Sequence, residues 1–228
     1  MKIKKLPKLA MYVSLIVAFS GVTAYAANNS TLTQSITAGV LSTDILDATR
    51  TAVAAPTAAL GAKTYSFDCQ FGAGASSGLL GSNSERLYVS NPSAANNGWN
   101  LTIAATAGAT ATWANSGATA TYDYNDPTTS GCTDGVDTDT RSGQLAMNPT
   151  LSTLTTDCSA CTITGVTKGA STAFAEGTVN AITLLSAGAT SDDVWRGYLT
   201  GVDLKQSIPG ETPANAYSLN LTLTATSL

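Results

Sequence analysis

The side chains able to do chemistry here are carboxylates, hydroxyls, thiols and aromatic rings, because the 228-residue chain contains no histidine. That absence excludes Ser-His-Asp and Cys-His catalysis, histidine-ligated zinc or iron, and histidine pH switching. The densest acidic group is Asp123, Asp126, Asp134, Asp137 and Asp139, with Asn125 among them. In Asp123-Tyr124-Asn125-Asp126 and Asp134-Gly135-Val136-Asp137-Thr138-Asp139, oxygen-bearing side chains alternate, and a glycine permits a tight turn. Such a run can wrap a hard cation, so these six residues are candidate ligands for structural Ca2+. The spacing is not that of an EF-hand, since no glutamate falls at the twelfth position. A solvated acidic loop is the competing reading. A glycosidase-type carboxylate pair needs a defined separation that sequence does not supply.

The chain has four cysteines: Cys69, Cys132, Cys158 and Cys161. In an exported protein they are expected to form two disulfides, with three pairings formally possible. Cys158-Ser159-Ala160-Cys161 has the spacing of a redox CxxC pair, but threonines and a β-branched run follow it where redox chemistry needs a helix N-terminus. A bridge closing a long loop restrains the unfolded chain more. On that ground Cys158 and Cys161 are each expected to staple a different strand, joining Cys69 and Cys132.

Trp99 is in phase with Leu101 and Ile103, which makes it a core residue. Trp113 has only small neighbours and is the candidate for an exposed contact with a sugar. Lys168 and Lys205 have no surroundings specific to an isopeptide cross-link. The sequons at Asn100 and Asn220 lie in expected strands, a poor setting for glycosylation.

These residues are carried on a chain that reads as strands nearly throughout. From Ala216 to Ala225, Tyr217, Leu219, Leu221, Leu223 and Ala225 alternate with small polar residues, the period of a half-buried antiparallel strand. Tyr198 to Ile208 alternates similarly, and Pro209 to Pro213 links the two. Further strands are expected within Thr33–Leu46, at Tyr65–Phe71, Glu85–Ser90 and Trp99–Ala104, from Cys158 through Val166, and at Val179–Leu185. Gly72–Ser84 reads as a glycine-serine loop, Ala105–Ala120 as low in complexity, and Ala48–Ala62 is ambiguous between weak helix and coil. About nine short strands separated by Gly, Pro, Asn and Ser predict an all-β fold, a Greek-key-like antiparallel β-sandwich.

Lys2, Lys4, Lys5 and Lys8, an apolar stretch from Leu9 to Val22, and Ala24-Tyr25-Ala26 have the three parts of a secretory signal peptide. Residues 1–26 are therefore expected to form a cleaved signal helix, and 27–228 a single β-sandwich domain. Cleavage removes four lysines and no acid, taking the formal charge from −4 to −8. An acidic, lysine-poor surface argues against nucleic acid and anionic membrane as partners of the mature form, and suits divalent cations or a cationic partner.

Gly98-Trp99-Asn100-Leu101-Thr102 resembles the first Trp-x-Leu motif of the WxL surface domain of Gram-positive bacteria. The closing segment from Ile208 to Thr224 resembles that domain's ending, as does Gln34 to Leu41 after the signal peptide. Where the family has its second tryptophan this chain has Leu223, with Ala225 in place of the leucine, so only Trp99 and Leu101 carry over. The resemblance implies a β-sandwich attached non-covalently to peptidoglycan, with Trp99 and Leu101 as the wall-binding motif.

The expected function is a non-catalytic, secreted structural or adhesive protein of the bacterial cell surface. It would be bound to peptidoglycan, to another surface polymer, or to copies of itself. A self-assembling fibre subunit, a carbohydrate-binding module and a secreted hydrolase using Asp or Glu are the alternatives.

Overall fold

In the computed structural model, residues 33–126, 132–133 and 141–228 are described. The expected signal helix, residues 1–26, lies outside them. The chain divides into two units, 1–37 and 38–228. Of the first, residues 33–37 are exposed and lie in no strand or helix. The architecture below belongs to the second.

That unit is all-β, with four antiparallel sheets and two 3-10 turns as the helical content of the described residues. The first sheet has the order β1-β3-β12-β8, formed by β1 (Ser42–Leu46), β3 (Arg86–Asn91), β12 (Trp195–Thr200) and β8 (Thr153–Thr156). The second is β2 (Ser76–Leu80), β13 (Val202–Ser207), β7 (Gln144–Asn148) and β10 (Thr172–Ala173), in that order. The third runs β15 (Leu221–Ser227), β4 (Trp99–Ala105), β11 (Ala181–Ala187), β9 (Val166–Lys168). A small fourth sheet joins β14 (Tyr217–Ser218), β5 (Trp113–Asn115) and β6 (Thr121–Tyr122).

The first two sheets are linked by chain continuity. Three neighbouring strands of one, β3, β12 and β8, lead directly into three neighbouring strands of the other, β2, β13 and β7. The crossing falls at glycines in two of the three places. Gly81 and Gly201 both adopt positive φ, 83° and 72°, a region open to residues without a Cβ. The Gly201 N–H donates to the Gly81 carbonyl at 2.9 Å, so hydrogen bonding persists across the bend.

One hydrophobic cluster is shared by the first three sheets. Leu87 and Val89 of β3, Trp99, Leu101 and Ile103 of β4, Leu145 and Met147 of β7, and Trp195 and Leu199 of β12 belong to it. Alternation explains most of the selection: β4 buries every second residue. In β11 a register shift between Thr183 and Leu185 lets the consecutive Leu184 and Leu185 both reach zero exposure, as a β-bulge permits. Trp99 and Trp195 meet at the centre with ring centroids 5.1 Å apart.

The expected β-class and several strands are present: Glu85–Ser90, Trp99–Ala104 and Val179–Leu185 each overlap an observed strand. Others differ. The described residues carry fifteen short strands where about nine were expected. The segment 198–208 is divided at Gly201. The segment 216–225 is interrupted at Leu219 and Asn220, so its two pieces enter different sheets. Leu219, Leu221 and Leu223 are half-buried and pack on the core, as their alternation requires.

Tyr65–Phe71 alternates without being a strand. Its single ladder contact is the bridge Gln70–Ile208, and Phe67 is 76% exposed. Tyr65 and Phe67 instead pack edge to face on each other. Ala48–Ala62 holds isolated bridges and no helix. The strand expected from Cys158 is absent until Val166, and the loop expected at 72–84 contains β2.

Candidate functional site

The fourth sheet places its aromatic residues on one face. Trp113 lies directly opposite Tyr122, and Tyr217 opposite Asn115; positions 113 and 115 are two apart, so these side chains project the same way. The Trp113 and Tyr122 rings are nearly parallel, 12° apart, with centroids at 6.0 Å, and Tyr217 meets Tyr122 edge-on at 5.1 Å. The Trp113 Nε1–H donates to Gln206 Oε1 at 2.8 Å. Gln206 is fully buried and donates from Nε2 to the carbonyls of Ser207 and Asp123. The Tyr217 hydroxyl donates to the Pro213 carbonyl at 2.8 Å. Burial raises the Tyr122 phenol well above its ordinary value, and raises that of Tyr217 too.

These rings border a cleft of about 590 Å3 whose other walls are residues 58–66, 208–209 and 212–217. Tyr65 stands at its edge, 46% exposed. Among the described residues the lining includes Lys63, Ser66, Gln70 and Asn215 and no carboxylate.

A second cavity, about 420 Å3, is apolar. Ile45, Leu80, Leu87, Ile103, Leu145, Leu204, Leu219, Leu221 and Leu223 line it. It lies beside β1 and β15, each the outer strand of its sheet, which touch one another. Trp113 borders both cavities.

The other expected site residues are placed as follows. Asp123, Asn125 and Asp126 are buried just after β6, at 4%, 4% and 2% exposure. The Asn125 Nδ2 donates to the Ala109 carbonyl at 2.9 Å, and its own carbonyl accepts from Glu176 N–H. Tyr124 between them is also buried, its ring edge-on to Phe174. Asp134, Asp137 and Asp139 lie outside the described residues. Among the described residues there is no group of three or more His, Cys, Asp or Glu side chains arranged to hold a metal. Trp99 and Leu101 are both fully buried; their side chains pack in the core, with no face turned to solvent.

All four cysteines are paired, and the pairing corrects the expectation. Cys69 joins Cys132, 63 residues apart, and Cys158 joins Cys161. The reason is local geometry. A turn in which Cys161 N–H donates to the Cys158 carbonyl brings the two Cα atoms to 5.3 Å, within bonding range. The loop-length argument has no bearing once two thiols are held that close. Two disulfides fit an oxidising, extracellular setting. No helix among the described residues is long and apolar enough to cross a membrane.

Sequence reasoning missed the polar knot at Asp157. Arg50 donates to it twice, Nε to Oδ2 at 2.6 Å and a terminal nitrogen to Oδ1 at 2.9 Å. The Tyr88 hydroxyl donates to Oδ2 at 2.7 Å, and Arg196 donates to the Asp157 carbonyl. The Arg50 hydrogen bonds, followed by that from Tyr88, hold the Asp157 carboxyl down at about 2 despite partial burial. The partners lie 107 and 69 residues away, and no spacing could have signalled them. No protein-family model, no curated protein and no solved structure matches this chain.

Proposed function

We propose that this chain is an exported, non-catalytic structural protein of the bacterial cell surface, whose body is a β-sandwich and whose copies join one to the next. The carrying observation is the apolar cavity beside the outer strands β1 and β15, in a chain that also exposes two large apolar residues before β1. Ile36 is 90% exposed and Val40 83%. Ile36, Ala38 and Val40 fall two residues apart in the sequence, the spacing that puts side chains on one edge of a strand once it is added to a sheet. Such a segment gains by adding to another copy's sheet edge and inserting its side chains in the cavity.

The polarity favours chains over closed pairs. β1 is antiparallel to β3, with Ser42 opposite Ser90 and Leu46 opposite Arg86, and Gly39 N–H donates to the Pro92 carbonyl. Residues 38–41 therefore leave at the Ser42 end of β1, whereas the cavity opens beside Ile45 and Glu85. Unlike surfaces at opposite ends make a head-to-tail contact, which extends unless rotation closes it into a ring. The leader-like N-terminus, the disulfides and the WxL-like segment support the surface setting, and the lack of histidine supports a role without catalysis.

Size-exclusion chromatography and negative-stain electron microscopy test this. The wild-type chain is expected to form oligomers or filaments. Ile36→Asp with Val40→Asp is expected to leave monomers of unchanged circular dichroism. A wild-type chain that stays monomeric at millimolar concentration refutes the reading, as does a double variant that assembles equally well. Co-sedimentation with purified peptidoglycan reads the other partner. Monomers that sediment with it would put wall attachment in place of self-association.

A further inference from the structure

We infer that the aromatic cleft on the β14-β5-β6 sheet is a binding site for a neutral, β-linked hexopyranose chain, held without being cleaved. The inference does not rest on self-assembly, which uses the other cavity, although Trp113 borders both.

Three properties of the cleft carry it. The first is shape and size: about 590 Å3, within the range of small-ligand sites and open enough for more than one sugar ring. The second is a prefixed aromatic wall. Trp113 is held by its Nε1–H bond to buried Gln206, and Tyr217 by its hydroxyl bond to Pro213. Nearly buried Tyr122 backs both rings, and half-exposed Tyr65, edge to face on Phe67, stands at the rim. Rings already locked lose little freedom when a ligand arrives. A pyranose with equatorial substituents has a flat C–H face suited to such rings, and its hydroxyls suit the amides of Gln70 and Asn215.

The third property is charge. In a protein of net charge −4, the cleft has Lys63 as its charged lining residue and, among the described residues, no Asp or Glu. A cation finds no partner there. Glycoside hydrolysis of the usual kind needs two carboxylates flanking the bond, and the described lining supplies none, which favours binding without cleavage.

The test uses the full-length chain carrying Ile36→Asp and Val40→Asp, so that assembly does not intrude. Cellohexaose and the hexamer of N-acetylglucosamine are titrated by intrinsic tryptophan fluorescence and calorimetry. Of the three tryptophans, Trp99 and Trp195 are fully buried, so a fluorescence response reports Trp113. Saturable binding to one or both is expected, weakened about tenfold by Tyr65→Ala and by Tyr217→Ala, each about 1.4 kcal/mol. Tyr65 is exposed enough that its removal leaves the fold intact, which circular dichroism checks. Preference for the acetamido sugar and preference for the plain one both support the assignment and separate the two glycan sources. No response to either at millimolar concentration overturns it, as does binding that survives both substitutions.

Discussion

Asp157→Asn separates the knot at Asp157 from the rest of the fold. The substitution keeps the shape and removes the negative charge that Arg50 and Arg196 face. It also leaves one oxygen where two accepted, so the Arg50 and Tyr88 bonds are weakened. The Asp157 carboxyl lies at about 2 against an ordinary 3.8. A displacement of that size corresponds to about 2.4 kcal/mol in a site shielded from water. Asp157 keeps contact with solvent, its side chain 21% exposed, and screening there reduces the figure to about 1 kcal/mol. The Tyr88 residue is 2% exposed, and weakening the bond at its hydroxyl adds about another 1 kcal/mol. Asp157→Asn is therefore expected to cost about 2 kcal/mol at neutral pH, lowering Tm by about 4–8 °C for a domain of this size.

The pH dependence has a fixed sign. The folded value lies below the unfolded one, so the stabilisation is complete above about pH 4 and is lost as the pH falls through about 2. Urea denaturation of wild type and Asp157→Asn at pH 7, 4 and 2 reads both effects. Tyr88→Phe is expected to lose about half as much. A variant within about 0.5 kcal/mol of wild type at pH 7 would refute the account, and so would a gap that persists undiminished at pH 2.

The disulfides should differ in weight. Removing Cys69–Cys132, which spans 63 residues, is expected to cost about 4 kcal/mol in chemical denaturation; the short Cys158–Cys161 loop should cost clearly less. The reverse order would show that loop closure is not what the long bridge contributes. Trp99→Ala is expected to cost about 3–5 kcal/mol by emptying a fully buried site. Measured under conditions where that variant stays folded, oligosaccharide binding at the Trp113 cleft should be unchanged. Calcium added to the full-length chain is expected to raise Tm in a concentration-dependent way. Asp134→Asn with Asp137→Asn should cancel the rise, and a Tm indifferent to both calcium and EDTA would leave these acids with no metal-binding role.

Period-two alternation at Trp99–Ala104 and Ala216–Ala225 marked the β class and the inward positions shared by β4 and β15, because side-chain direction along a strand follows from backbone geometry alone. The absence of histidine and the four cysteines likewise bounded the chemistry and the compartment before any fold was known. Alternation failed at Tyr65–Phe71, where no neighbouring strand accepts the ladder and the rings pair with each other at the surface. It also failed to show that the run from 217 breaks and serves two sheets, since pattern records which face a residue presents and not which strand lies beside it.

The contacts of longest reach were decided by tertiary structure. Arg50 and Tyr88 converge on Asp157, Gln206 fixes Trp113, and the two chain stretches walling the cleft are more than a hundred residues apart. Each depends on the order of strands within a sheet and on the bend at Gly81 and Gly201. Strand order is settled by which faces can be buried together, a property of the whole chain, whereas the direction of a side chain is settled within a few residues of itself.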